Sequence, residues 1–535
     1  MIAERLSATA GRFPAREAVV HGDQRLSWSA LDGLASRIAG GLSDIGVQPR
    51  DFVAIQLPNS PAYLAALYGI LRLGATAVPL NPRYQPDEFA HILADCGAVA
   101  TIAYAPLAPA LTALQTKLPQ LRHILLADLS PLTDGGASAT GAAPAGGTVP
   151  FESWLRGLTP RARDADTPPP VGDDAPATCL YTAGTTGRPK GALLTHRGLL
   201  WNIDHLLQVF SADERDRFLC VLPMFHSYAQ MACVISTLTL GATLVSQAQF
   251  RPATVLETIV RERITIFPGV PAYYGAMLAA ARPDEPADLG VLRLAVTGGA
   301  AMPPAVVEAL QRRYGVTVLE GNGPTEAGPV AYCNPEHGVR KPGSVGQPIP
   351  GVAVRVVDDQ DGDVPMGAVG EVLVRGPNVM AGYLGQPEAT AQALRGGWLH
   401  TGDLGRLDAD GYLFLVDRKT DLIIVGGLNV YPREVEETLL GHPSVAEAAV
   451  VGVPDPLRGE QVVAFVVLVP GQAASPHDLI RYCREHLATY KCPRHLLLRD
   501  ALEKNAAGKV GKLELRVLAQ QDLAMLGGPA EPGGE

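Results

Sequence analysis

From Ala18 onward the chain alternates short apolar runs with longer stretches whose apolar residues recur at helical spacing. Residues 31–46 (LDGLASRIAGGLSDIG) carry that spacing. Residues 52–57 (FVAIQL) form an apolar run of strand length, and Asn59-Ser60-Pro61 is a helix-start signal ahead of YLAALYGILRLG. Residues 77–80 are the next strand. The alternation predicts an α/β architecture with largely parallel sheets, here two doubly wound subdomains. Further on, residues 218–231, 265–274, 292–304 and 316–330 each begin as an apolar strand and end in a Gly/Pro-rich turn. Ligands gather at the carboxyl ends of strands in such sheets, so the four turns predict one composite site.

Residues 343–376 read differently. Short β-rich runs are separated by DG- and PG-type turns, as in an antiparallel sheet or small barrel, and WLHTGDLGRLDADGYLFLVD (398–417) continues the pattern. A β-rich subdomain over about 340–417 therefore closes a large N-terminal domain, residues 1–417. The polar step Arg418-Lys419-Thr420-Asp421 marks a boundary, and residues 418–520 read as a smaller α+β domain. Its helices are expected in YPREVEETLLGHP and PHDLIRYCREHLATYKCP, and its strands in AEAAVVGV and QVVAFVVLV. Residues 521–535 are expected to form a disordered tail. Residues 128–150 include the low-complexity run DGGASATGAAPAGG, which cannot bury enough apolar surface to fold alone and is expected to be a mobile surface loop.

Composition narrows the class. The chain has 535 residues, 47% of them hydrophobic, enough for more than one core. Its net charge of −10 argues against a nucleic-acid binder, which would show a basic stripe. Seven scattered cysteines without CxxC or Cys/His metal spacing read as reduced core thiols. The first residues lack the apolar centre of a signal peptide, and no run approaches ~18 apolar residues, so a soluble, cytoplasmic protein without a transmembrane segment is expected. The oligomeric state stays open.

The chemistry concentrates in CLYTAGTTGRPKGALLTH, residues 179–196. Cys179 to Tyr181 end a buried strand, and an apolar run resumes at Gly191. Between them lie Gly184, Gly187, Thr182, Thr185, Thr186 and Lys190. Glycines let backbone N–H groups come close to an anion, and the hydroxyls and lysine add donors and charge, so the loop is equipped to grip a polyphosphate. It is not a Walker A loop, because the glycine-to-lysine spacing is wrong and Gly191 follows the lysine.

YTAGTTGRPKG resembles the phosphate-loop signature of the adenylate-forming superfamily, which comprises acyl-CoA synthetases, luciferases and peptide-synthetase adenylation domains. Ala183 stands where that family usually has Ser. The resemblance spans residues 10–515 and implies ATP, Mg²⁺ and coenzyme A as the small molecules used. It implies that Thr182, Gly184, Thr185, Thr186, Gly187 and Lys190 hold phosphate. It places Gly299, Ala300, Ala301, Gly321, Asn322 and Gly323 beside the nucleotide, with Asn322 standing where an aromatic ring often stacks on adenine. Thr325 then resembles the phosphate-contacting hydroxyl, and Glu326 and Thr182 the metal-associated pair. Asp403, in HTGD, and Arg418 resemble the ribose contacts, and a carboxylate suits that task because it accepts from both ribose hydroxyls.

Lys509, in EKNAAGKVGK, resembles the C-terminal lysine that bridges carboxylate and α-phosphate, where a cation relieves the repulsion of two anions. His226, in PMFHSYA, resembles the gate of the acyl tunnel, and Phe225, residues 267–271 and Tyr274 are expected along the same pocket. Amino-acid-activating relatives carry Asp at the His226 position, so the resemblance argues against an amino-acid substrate. It also implies that the small domain swings about Thr420 between two half-reactions, bringing Gly427 toward the pantetheine path.

The reaction implied is ATP-dependent conversion of a carboxylic acid to acyl-AMP and pyrophosphate, then transfer to CoA. GGLNVYPREVEE, RGPNVMAGYL and HTGDLGRL are most similar to medium- and long-chain fatty-acid ligases. Three alternatives stay open: an aryl-acid CoA ligase, an acyl-AMP ligase loading an acyl carrier protein, and a nucleotide-binding relative without turnover.

Overall fold

The computed structural model describes residues 1–132, 147–158, 171–182, 189–281, 289–299, 302–504 and 510–525. The chain forms two compact units. The first comprises Met1–Arg355, Leu373–Thr401 and Asp410–Leu413; the second comprises Val356–Val372, Gly402–Ala409 and the chain from Phe414 onward.

The first unit is built on two large sheets with parallel centres. One has eight strands. Phe52–Gln56, Thr76–Pro79, Ala100–Tyr104 and His123–Ala127 lie in parallel pairs, and Thr76–Pro79 in turn pairs with Pro176–Thr182. The helix-start signal is real: Ser60 caps helix Pro61–Leu73 by accepting from the Tyr63 amide at 3.2 Å, Pro61 opens the helix, and Gly74 ends it in the left-handed conformation. Apolar on nearly every side, that helix is buried almost throughout. Helix Trp28–Asp44 lies against it so closely that a Cβ at Gly69 would sit 2.5 Å from Ile38 Cγ2. The low-complexity stretch is shorter than its composition suggests. Gly147–Pro150 forms an edge strand parallel to His123–Ala127, because the sheet edge offers backbone partners that composition does not reveal. Residues 133–146 lie outside the described residues.

The other sheet has nine strands and positions the site. Four of its strands lie side by side in the order Thr317–Asn322, Leu294–Thr297, Ile266–Gly269, Arg217–Cys220. All three pairings are parallel, with Gly269 opposite Thr297 and Thr297 opposite Glu320. The four strands therefore end on the same edge, and the four Gly/Pro turns read from the sequence emerge next to one another. Phe267, Tyr274, Ala295 and Val318 belong to one buried core beneath that edge.

The β-rich stretch forms a four-stranded sheet, ordered Ala353–Val357, Gly370–Arg375, Leu399–Leu407, Leu413–Arg418. Beyond it, the second unit holds long antiparallel strands Val445–Asp455 and Gly459–Leu468, with His495–Leu498 parallel to the latter. Helices Pro432–Leu440 and Pro476–His486 supply Val435, Leu439, Leu479 and Cys483 to its core. All seven cysteines are free and buried, as core thiols should be. No helix among the described residues is long and apolar enough to cross a membrane.

A buried histidine gives the first unit a pH dependence. His196 opens helix His196–Leu206, is fully buried, and has its pKa pushed down to about 4 by burial. Unfolded, the ring titrates near 6.5, so between pH 6.5 and 4 the unfolded chain takes up a proton that the folded chain refuses. Stability from this group is full above pH 6.5 and falls by as much as about 3 kcal/mol as pH drops through that window. Melting curves from pH 7 to 4.5 should decline more steeply for the natural chain than for His196→Gln; parallel curves would refute the assignment.

Candidate active site

The phosphate-loop sequence is flanked by two strands that pair with each other. Strands Pro176–Thr182 and Lys190–Thr195 pair antiparallel, with Thr182 opposite Lys190 and Tyr181 opposite Gly191. The apolar run that resumes after the lysine is thus a strand running straight back along its predecessor. Gly191 is required there, since a Cβ would lie 2.7 Å from Cys179 Sγ and 3.2 Å from the Tyr181 ring. Ala183 and the predicted phosphate contacts Gly184, Thr185, Thr186 and Gly187 lie outside the described residues; Thr182 and Lys190 are the posts on either side.

Glu326 occupies a single 3₁₀ turn, Thr325–Ala327, just past the end of strand Thr317–Asn322. Its Oε1 accepts from the Thr182 hydroxyl at 3.0 Å and from the Tyr383 hydroxyl at 3.1 Å. The sequence pairs Thr182 with Glu326 only through the resemblance; the fold joins them across 144 residues. The Tyr383 ring lies under the Lys190 ammonium, 5.3 Å from its centroid, so one tyrosine touches both. Burial pushes the Tyr383 hydroxyl well above its ordinary range, and the Glu326 charge adds to the shift, keeping it a donor. Thr325 Oγ1 lies 3.0 Å from Ser227 Oγ, which links the glutamate turn to the residue after His226.

The glycines around this turn answer to space. At Gly298 a Cβ would approach the Gly321 carbonyl to 3.0 Å and the Tyr228 ring to 3.5 Å. At Gly323 it would meet the Pro329 carbonyl at 2.6 Å and the Ala331 amide at 2.7 Å. At both positions neighbouring backbone takes the place of a side chain, so only glycine fits. Gly299 is left-handed (φ 81°), while Ala300 and Ala301 lie outside the described residues. Gly321 and Asn322 pair antiparallel with Cys333 and Tyr332, and Asn322 is half-buried.

His226 caps the short helix Ser227–Ala229. Its Nδ1 accepts from the Tyr228 amide at 3.2 Å, so the neutral ring carries its proton on Nε2. The helix then widens into a π-helix over Gln230–Ile235 before returning to α at Ser236. Ser236 Oγ donates to the Met231 carbonyl at 2.8 Å and Thr237 Oγ1 to that of Cys233 at 2.8 Å, satisfying acceptors that the wide turn exposes. Sequence periodicity carries no signal for this. Tyr228 and Tyr274 both donate to the Val296 carbonyl at 2.8 Å, and Tyr274 also to Phe267 at 2.7 Å. Burial holds both phenols neutral, and the two rings are fixed beside the strand ends.

The remaining predicted residues belong to the second unit. Asp403 Oδ1 pairs with Arg418 Nε at 3.3 Å, joining the two predicted ribose contacts. Asp403 is 13% exposed and Arg418 55% exposed, so the acid is sheltered and the base open to solvent. Gly402 before Asp403 is left-handed, and its carbonyl accepts from the Lys419 amide at 2.8 Å. The Thr420 carbonyl accepts from Arg516 at 2.9 Å. Gly426 and Gly427, both at positive φ, form the two-residue turn between Ile423–Val425 and Leu428–Val430, where they are exposed. Lys509 lies outside the described residues. On its two sides Lys504 and Val510 form a β-bridge, Lys504 pairs with Glu447 at 2.8 Å, and Lys512 with Glu436 at 2.9 Å. Ser227, Tyr228, Asn378 and Tyr383 escaped the sequence reading of site residues, since nothing local marks an ordinary hydroxyl or amide.

Strand ends that bring a Gly/Thr/Lys hairpin against a glutamate turn, with a histidine alongside, fit the class of AMP-forming acid–thiol ligases. Comparison with known proteins agrees throughout the chain. The chain belongs to the AMP-binding enzyme family, whose model matches residues 6–384, while that of the AMP-binding enzyme C-terminal domain matches residues 434–509. It is 39% identical over 506 residues to a feruloyl-CoA synthase of Amycolatopsis sp, covering 94% of this chain and 96% of that one. It is 34% identical over 536 residues to a long-chain-fatty-acid–CoA ligase of Bacillus subtilis (strain 168), covering 96% and 94%. Among solved structures, the O-succinylbenzoate coenzyme A synthetase of Bacillus subtilis in complex with ATP and magnesium ion superposes with a TM-score of 0.81 at 29% identity, over 96% of this chain and 98% of that one. The protein is thus an acyl- or aryl-CoA ligase, using a carboxylic acid, ATP and CoA.

Proposed function

We propose that the chain activates an acid with an apolar tail, fatty or aryl, in two steps. A carboxylate oxygen attacks the α-phosphorus of ATP, the bond to the β-phosphate oxygen breaks, and pyrophosphate leaves. The CoA sulfur then attacks the acyl carbon, its proton passes to solvent, and AMP leaves. The observation that carries this reading is the joining of Thr182, Glu326 and Lys190 around Tyr383 at the mouth of the phosphate hairpin.

Thr182 and Glu326 are the residues that would hold magnesium: a hydroxyl and a carboxylate are hard oxygen donors, and nucleotide phosphates complete such a set. The metal supplies charge that offsets the phosphate oxygens. Thr325 and Lys190 bind phosphate, and Gly299, Ala300, Ala301, Gly321, Asn322 and Gly323 lie beside the base. Asp403 and Arg418 hold the ribose. Lys509 bridges the anions in the first step, and the Gly427 turn serves the thiol in the second, with Thr420 as the pivot.

On the acid side His226, with a proton on Nε2, stands at the position where amino-acid-activating relatives carry Asp. The half-buried ring of Tyr228, fixed by its bond to the Val296 carbonyl, gives that side aromatic surface, which favours an aryl acid, as does the higher identity to the feruloyl-CoA synthase. The motifs quoted above, with the fatty-acid ligase relative, favour a medium- or long-chain fatty acid. Acid-dependent ATP–pyrophosphate exchange with fatty, cinnamic-type and arylacetic acids tests the reading. Exchange should occur with apolar acids and not with amino acids, and CoA should then release AMP. AMP release on adding a phosphopantetheinylated carrier protein, and none on adding CoA, would replace the ligase with a carrier loader.

A further inference from the structure

We infer that Tyr383 is a positioning residue that sets Glu326 and Lys190 relative to one another before the nucleotide arrives. The inference rests on the adenylation reading above.

Two backbone grips fix the segment that carries it. Gly382 and Tyr383 pair antiparallel with Leu193 and Ala192 of the hairpin's returning strand, and the Leu384 amide donates to the Gly191 carbonyl at 2.8 Å. On the other side the Met380 amide donates to the Glu326 carbonyl at 2.8 Å, and Asn378 Nδ2 to the Ala327 carbonyl at 2.6 Å. The seven residues 378–384 thus span from the lysine's strand to the glutamate's turn. The turn accepts this clasp only with glycine at 328: its φ is 70°, and a Cβ would lie 2.5 Å from the Asn378 carbonyl oxygen.

The side chain repeats the connection. The hydroxyl donates to Glu326 Oε1, beside the bond from Thr182, and the ring faces the Lys190 ammonium. Its direction is set locally, since the Tyr383 amide donates to Thr390 Oγ1 at 2.8 Å and Gly382 has φ 147° with Thr390 filling the place of a Cβ. Two donors on one carboxylate oxygen select one orientation of Glu326. The ring gives Lys190 a neutral support, so the ammonium and the carboxylate face a common ligand without collapsing into a direct pair. A purely structural tyrosine at a strand edge would need the ring and not the hydroxyl.

Tyr383→Phe and Tyr383→Leu separate these parts in the full chain. For Tyr383→Phe, the half-saturating magnesium concentration for pyrophosphate exchange, and the calorimetric Kd of ATP measured with magnesium, should rise about ten- to a hundredfold, the scale of one hydrogen bond to a charged group. Acylation of Lys190 by an amine-reactive ester in the ligand-free protein, followed by mass spectrometry, should keep its natural rate. In Tyr383→Leu that labelling should accelerate, because the ring is gone. Both variants should transfer a supplied acyl-adenylate to CoA at the natural rate. Natural magnesium dependence and ATP affinity in Tyr383→Phe would overturn the inference, as would equal Lys190 labelling in all three proteins. If Tyr383→Leu does not fold, Thr182→Val supplies the second test: it removes the other donor to the same oxygen and should weaken ATP binding less in the Tyr383→Phe background than in the natural one, whereas strictly additive losses would overturn the inference. A natural protein that shows no exchange with any acid would instead refute adenylation, leaving the Lys190 labelling to judge the ring contact.

Discussion

Lys509→Ala is expected to lower acid-dependent pyrophosphate exchange about 10²–10³-fold, the usual loss when one preorganised charge is removed from a transition state. Transfer of a supplied acyl-adenylate to CoA should continue near its natural rate. The physical basis is the meeting of two anions. A carboxylate and a phosphate about 4 Å apart repel by about 4 kcal/mol at an effective dielectric of 20, and a lysine between them reverses the sign of that interaction. The second step has no such encounter, because the acid is already joined to phosphate as a mixed anhydride and the nucleophile is a sulfur. Equal losses in both steps would show that the substitution damages the unit as a whole.

Glu326→Gln is expected to cut exchange by about 10²-fold and to raise the magnesium requirement, with little change in thermal stability. Glutamine keeps a carbonyl oxygen where Oε1 accepts from Thr182 and Tyr383, so the hydrogen bonds survive and only the charge is lost. Glu326→Ala, by contrast, leaves both hydroxyls without their acceptor, and its loss mixes charge with a disturbed turn. Comparing the two by exchange kinetics and melting separates electrostatics from packing. Natural magnesium dependence in Glu326→Gln would remove this residue from the metal site.

What the sequence makes legible follows the range of each signal. The alternation of apolar runs and helical spacing, the Ser60-Pro61 helix start and the four Gly/Pro turns are local, and each appears in the fold where the pattern puts it. Adjacency is not local. Nothing in residues 182, 326 and 383 taken singly says that one carboxylate oxygen receives two hydroxyls. The π-helix after His226 is hidden for a different reason: one extra residue per turn in a uniformly buried helix leaves apolar periodicity unchanged. The edge strand Gly147–Pro150 is invisible because its stability comes from the neighbouring strand and not from its own composition. Asn322 shows the opposite case. The family resemblance marks it as a departure, and the structure gives it an ordinary place at a strand end.

The parallel order of the four strands at the site also acts as a ruler. Neighbouring strands stand about 4.8 Å apart, so three intervals separate Arg217–Cys220 from Thr317–Asn322 by about 14 Å. Each turn is a graduation fixed to its own strand and replaceable without moving the next. On the reading proposed above, residues at one end can be exchanged to lengthen, shorten or reshape the room for an acid while those at the other end keep their grip on the nucleotide. An enzyme built this way can acquire a new substrate one graduation at a time, and the chemistry it performs is the part that need not change.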